Sequence, residues 1–128
     1  MNPTSLDSIR AEVTPEVARA VDLLLDRKAV DVSLLDLRGI STATDFFLVA
    51  TGRSDTHVTA IADTLVDEMK KMGSRPIGVE GLRGGHWVLV DYVDFVVHVF
   101  HPAAREFYQI ERLWGDAPLY LLGGEDDG

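Results

Sequence analysis

Two short runs separated by only two residues, His86 to Asp91 and Asp94 to Phe100, restrict the fold more than any other part of the chain. Side chains alternate between the faces of a strand, so each run can be sorted by parity. Val88 and Val90 share a face with Phe95, Val97 and Val99, and all five are apolar. That face must be covered by another element. The opposite face carries Trp87, Leu89 and Asp91, then Asp94, Val96, His98 and Phe100. With Tyr92-Val93 as a two-residue turn, the runs close into a hairpin that sets Trp87 opposite His98 and Leu89 opposite Val96. An indole, aliphatics and carboxylates together suit neither a dry core nor an ordinary wet surface. Two readings stand. Either a helix, such as the C-terminal one, covers Trp87 and makes it core, as is usual for tryptophan in a small domain, or the face is an interaction surface with an aromatic anchor inside a polar rim.

The rest of the chain supplies elements to pack on such a sheet. Thr14-Pro15 reads as a helix start, followed by Val17, Val21, Leu24 and Leu25 on one stripe ending near Lys28. Val30 to Leu37 is β-rich, and Phe46 to Ala50 is a continuous apolar run bounded by Gly52, which predicts a central strand covered on both faces. Ser54 or Asp55 caps the next helix, with its stripe of Val58, Ile61, Ala62, Leu65, Val66, Met69 and Met72, and Gly73 at the expected C′ position. Pro76 to Val79 forms a short strand, Gly81 to Gly85 a loop, and Pro102 opens a C-terminal helical stretch with Phe107, Ile110, Leu113 and Trp114 along one side. The order α-β-β-α-β-β-β-α predicts an α/β single domain: a mixed sheet of about five strands with helices packed on it. Residues 1–13 read as a weakly ordered segment, 14–114 as the domain, and 115–128 as an acidic tail whose apolar start, Leu119 to Leu122, docks on its own domain.

Composition narrows the function classes. One core fits 128 residues, and no cysteine is present to make a disulfide or a thiolate site. No run is long enough to cross a bilayer and the N-terminus lacks a secretory pattern, so a cytoplasmic protein is expected. The net charge of −9 opposes phosphate backbones, so no direct nucleic-acid binding is expected and a basic protein is the better partner. His57, His86, His98 and His101 show no metal-ligand spacing. Gly52-Arg53-Ser54 opens a helix after a strand, where phosphate could sit, but Glu80, Asp91 and Asp94 lack the spacing of a metal-binding carboxylate pair. No cofactor is expected.

Several stretches then match a known pattern in order: Thr44-Asp45-Phe46-Phe47-Leu48-Val49-Ala50-Thr51-Gly52, His57 to Ala62, Gly78-Val79-Glu80-Gly81, Trp87 to Asp91, Asp94 to Phe100, and Arg105 to Trp114. Through them the chain resembles the ribosomal silencing factor family, also called Iojap-like proteins, from roughly Leu37 to Trp114. The resemblance implies a nucleotidyltransferase-like scaffold used without catalysis, and so no enzyme. It implies binding to the fourteenth protein of the large ribosomal subunit, which blocks joining of the small subunit and represses translation, and it implies a homodimer, since crystallised members often form one. The matching partner-binding positions are Glu80, Gly81, Trp87, Asp91, Asp94, His98, Tyr108 and Glu111. Two positions depart from the pattern: Val93 stands where relatives usually carry glycine, and Leu82-Arg83-Gly84-Gly85 replaces a more polar loop. The alternatives are a nucleotide-transferring enzyme on the same scaffold and a homodimeric module for another partner.

Overall fold

The helices begin where their caps are. Thr14 Oγ1 accepts from Val17 N ahead of α1 (Pro15–Asp26), and Ser54 Oγ accepts from His57 N ahead of α2 (Asp55–Lys71). At the end of α2, Gly73 N donates to Lys70 O and Ser74 N to Met69 O, with Gly73 at φ +90°, a Schellman closure on the glycine the sequence points to. The protein, seen here as a computed structural model, is described over residues 12–124, with the side chains of Phe107 and Tyr108 excepted. The expectations for residues 1–11 and 125–128 therefore fall outside the described residues.

The strands are β1 (Val30–Asp36), β2 (Phe46–Thr51), β3 (Gly78–Glu80), β4 (Trp87–Asp91), β5 (Phe95–Phe100) and β6 (Leu119–Gly123), in spatial order β3-β4-β5-β2-β1-β6. Only β2 and β5 run parallel; every other pair is antiparallel, so the sheet is mixed. It has six strands instead of about five. The additional one, β6, comes from the segment expected to be tail, and it pairs with β1 through Leu34↔Tyr120 and Leu35↔Leu119. The five residues Leu119–Gly123 are enough to pair along the free edge of β1, an outcome that a short apolar run does not distinguish from simple docking. The C-terminal helical stretch is also not continuous: Gln109, at φ +45°, separates α3 (Pro102–Tyr108) from α4 (Ile110–Leu113), and Leu113 faces solvent.

Helices α1 and α2 cover one face of the sheet. Val17, Val21 and Leu24 of α1 and Val58, Ile61, Leu65 and Met69 of α2 are buried with Val88, Val90, Phe95, Val97 and Val99, the set assigned to the core by parity. The hairpin register differs from the expected one. Trp87 pairs with Phe100, Leu89 with His98 and Asp91 with Val96, a slip of two residues that leaves each strand's parity intact. The turn is centred one residue later than Tyr92-Val93: Tyr92 N donates to Phe95 O, Asp94 N donates to Tyr92 O, and Asp91 Oδ1 accepts from Val93 N at 2.8 Å. Val93 is thereby held at φ +75°, a γ-turn geometry that strains a β-branched residue. Replacing it with glycine relieves the strain while freeing the unfolded chain. Val93→Gly is expected to raise stability by about 1 kcal/mol in urea denaturation, and a loss of stability would show that the valine is not strained.

Candidate functional site

The second face of the sheet is only partly covered. Leu35, Leu37, Val49, Phe100, Ile110 and Ala117 form a smaller cluster there, with Phe47, Trp87, Ala104 and Trp114 packed against it. Arg105 pins this cover in place: its guanidinium donates to Asp31 O at 2.6 Å, Thr51 Oγ1 at 2.9 Å and Ser33 Oγ at 3.3 Å, and pairs with the Glu111 carboxylate. These anchors lie on β1 and β2, so the cover sits over that half of the sheet and β4 lies at its margin. Trp87 stands at the border. Its ring stacks on Phe100 at 5.1 Å and its Nε1–H donates to His98 Nδ1 at 3.1 Å, while the side chain stays half-buried.

That hydrogen bond settles the tautomer of His98. An indole nitrogen can only donate, so Nδ1 must be the unprotonated acceptor and the ring proton sits on Nε2. Burial pushes the His98 pKa down to about 4, so the ring stays neutral near pH 7. Three buried side-chain atoms lack a hydrogen-bond partner among the described residues: Thr44 Oγ1, Tyr92 Oη and His98 Nε2. Tyr92 belongs to the helix-covered core, whereas Thr44 and His98 both line a groove of about 360 Å³ beside the hairpin. Its walls include Phe47, Leu89, Val96 and Trp114, with Asp91 among the lining residues.

The residues singled out in the sequence separate into two groups. Glu80 pairs with Leu89 and so shares the face of Trp87, Asp91 and His98; Asp94 sits exposed in the turn at the end of the hairpin. Gly81, at φ +85°, passes so close to β4 that a Cβ would lie 2.0 Å from Trp87 O, which ties the glycine to the placement of the indole. No ion pair among the described residues engages Glu80, Asp91 or Asp94. Glu111 is different. Its carboxylate is taken up by Arg105, so it serves the cover and not the open face. Tyr108 ends α3, and its side chain lies outside the described residues. Sequence reasoning missed Thr44, Phe47 and Trp114. Phe47 pairs with Val96 across β2–β5, a parallel contact that local alternation does not reveal.

The chemistry weighed against this site is used up locally. Arg53 N donates to His57 Nδ1, Thr56 N to Asp55 Oδ1 and His57 N to Ser54 Oγ, so the α2 N-terminus spends these donors on its own side chains. Asp55 adds a negative charge where a phosphate would have to sit. His57 Nε2 lies 2.8 Å from Arg27 O. The His86 and His101 rings meet at 6.0 Å, closer than the sequence suggests, yet His101 Nδ1 accepts from Ala103 N as the cap of α3. Among the described residues no group of three or more histidines and carboxylates is placed to hold a metal ion.

Comparison with known proteins decides the family. The family described as "Ribosomal silencing factor during starvation" matches residues 10–127. The chain belongs to the ribosomal silencing factor family. Ribosomal silencing factor RsfS of Bacillus subtilis is 47% identical over 94 residues, which cover 73% of this chain and 80% of that protein. The factor of the same name from Halalkalibacterium halodurans is 44% identical over 105 residues, covering 82% of this chain and 90% of its own length. A crystal structure of a Chromobacterium violaceum protein superposes with a TM-score of 0.76 at 36% identity, over 88% of each chain. The α/β sheet, its helices and its half-open face are thus the setting of a ribosomal silencing factor. No helix among the described residues is long and apolar enough to cross a membrane.

The neutral histidine on this face has a measurable consequence. In the folded silencing factor His98 takes up a proton only near pH 4, while a histidine in the unfolded chain does so near pH 6.5. Unfolding between these values binds a proton. Stability is therefore full above pH 6.5 and falls as pH drops toward 4, by up to about 3 kcal/mol at 1.36 kcal/mol per pH unit. Urea denaturation from pH 7 to pH 4 is expected to show this decline in the native chain and a flatter profile in His98→Asn. Equal slopes in the two proteins would assign the titration elsewhere.

Proposed function

We propose that the chain represses translation by binding the fourteenth protein of the large ribosomal subunit through the open part of its second sheet face, so that the small subunit cannot join. It makes and breaks no bond; occupancy of a docking surface is the whole mechanism, and it acts in the cytoplasm, where ribosomes are. One observation carries the reading beyond family membership: a half-buried indole beside an apolar groove, on a face that also holds Glu80 and Asp91, with Asp94 at the hairpin tip. Ribosomal proteins are basic because they sit on RNA, and carboxylates that no cation among the described residues neutralises attract and orient such a protein. Aromatic anchors at the edge of a pocket are where binding energy concentrates. The nucleotide-transferring alternative draws less support, since the donors it needs at the α2 N-terminus are engaged by Ser54, Asp55 and His57.

A second reading, self-association, has its own observation. Leu119 and Leu121 lie on the free edge strand β6, and Leu121 and Leu113 are 60% and 76% exposed. An apolar edge strand is a template for a second copy. Light scattering of the purified chain is expected to show a dimer that Leu121→Lys shifts to monomer, and a monomer at all concentrations would remove this reading.

For the main reading, the purified chain is expected to co-sediment with large subunits and to reduce the joined-ribosome peak in a gradient. Trp87→Ala is expected to weaken large-subunit binding by about 2 kcal/mol, roughly thirtyfold, with circular dichroism unchanged. Unchanged subunit joining at saturating protein would defeat the proposal.

A further inference from the structure

We infer that the groove beside Trp87 receives an extended backbone segment of the basic partner, one of whose carbonyls accepts from His98 Nε2–H and another of whose peptide groups offers its N–H to Thr44 Oγ1. This rests on the partner-binding reading above and names what the partner must present. Among the described residues His98 Nε2 and Thr44 Oγ1 are buried without a hydrogen-bond partner, and both residues line the groove, whose walls also include Phe47, Leu89, Val96 and Trp114, with Ser41 and Asp91 as its further polar members. Buried polar atoms are nearly always hydrogen-bonded, so a pair of orphans on one concave surface marks a place where an external group completes the network.

The chemistry of that group follows from the two atoms and their surroundings. The Trp87 N–H occupies His98 Nδ1, which leaves Nε2 as a donor and requires an acceptor from outside. An anionic acceptor is disfavoured, because Asp91 lines the groove and the chain carries a net charge of −9. A cation has nothing to donate to at a protonated Nε2. A neutral acceptor remains, and the threonine hydroxyl can take a donor beside it. An extended backbone offers both, C=O and N–H at successive residues, with side chains that can be apolar toward Leu89 and Trp114 or basic toward Asp91. Partner charge then governs approach, while the amide governs register.

The orphans also predict opposite effects on folding and binding. Thr44→Val keeps shape but removes an unsatisfied hydroxyl, which leaves the free protein as stable or more stable. His98→Asn retains an oxygen near the position of Nδ1 to accept from Trp87 Nε1–H and has no atom at Nε2. With the full chain and purified large subunits, each variant is expected to bind about tenfold more weakly than the native chain, while Thr44→Val melts no lower. In the isolated fourteenth ribosomal protein complex, the His98 Nε2–H proton resonance is expected to move downfield, which reads the bond directly even if His98→Asn folds poorly. Native binding with both variants binding equally tightly, or with that resonance unmoved, would overturn the inference and leave the repressor reading intact. Failure of the native chain to bind large subunits would overturn both.

Discussion

Arg105 determines which part of the molecule is open. A sheet with the parallel pair β2–β5 at its centre has two apolar faces to cover, and α1 with α2 cover only one. The second falls to α3 and α4, which together span few residues and gain little from propensity alone. What holds them is the Arg105 guanidinium, which reaches a backbone carbonyl in β1, hydroxyls in β1 and β2, and the Glu111 carboxylate at once. A planar group with five donors is suited to tying a helix to two strands and another helix. Because all its strand anchors lie on β1 and β2, the cover ends near β5, and the β4 side chains are left at a boundary.

The boundary explains the intermediate environment of Trp87. Trp87 is not sealed beneath a helix, yet it is not a free anchor either. Its ring rests on Phe100, and its single donor is committed to His98. Such an indole is preorganised: under the proposed function a partner covering its remaining surface would cost it little freedom, so more of the contact energy would go to binding. Gly81 contributes to the same end by letting the β3–β4 loop lie against the Trp87 carbonyl.

Much of this was readable from residue order, and the parts that were not share a cause. Caps at Thr14 and Ser54, the C′ glycine at Gly73 and the parity of β4 and β5 are local properties, set by neighbours within about four residues. The two-residue slip in the hairpin was not legible, because Asp91 captures the Val93 amide and draws a valine into a conformation that sequence statistics reserve for glycine. Strand β6 was hidden for a related reason: Leu119 to Gly123 pairs only because β1, more than eighty residues earlier, offers a free edge. The role of Glu111 went unread because its partner is decided by where α4 lands after the Gln109 break. At the candidate site the face and its aromatic residue were visible in alternation, whereas Thr44, Phe47 and Trp114 join it only through the parallel β2–β5 register and the returning C-terminal chain.

The distribution of unsatisfied polar atoms follows from the same geometry. A histidine at the floor of a fully covered face would be an error in packing, since its second nitrogen would have no route to a partner. At the margin of a cover that stops midway across a sheet, the same residue is tolerable: one nitrogen is satisfied by Trp87 within the fold, and the other borders a groove. The acidic residues obey the same division. Glu111, in the cover and partly buried, is neutralised by Arg105, whereas Glu80 and Asp94, both exposed, meet no cation among the described residues. A chain of net charge −9 whose described residues leave these two without an ion pair while neutralising the partly buried one has separated the charges that hold its fold from those available to another molecule.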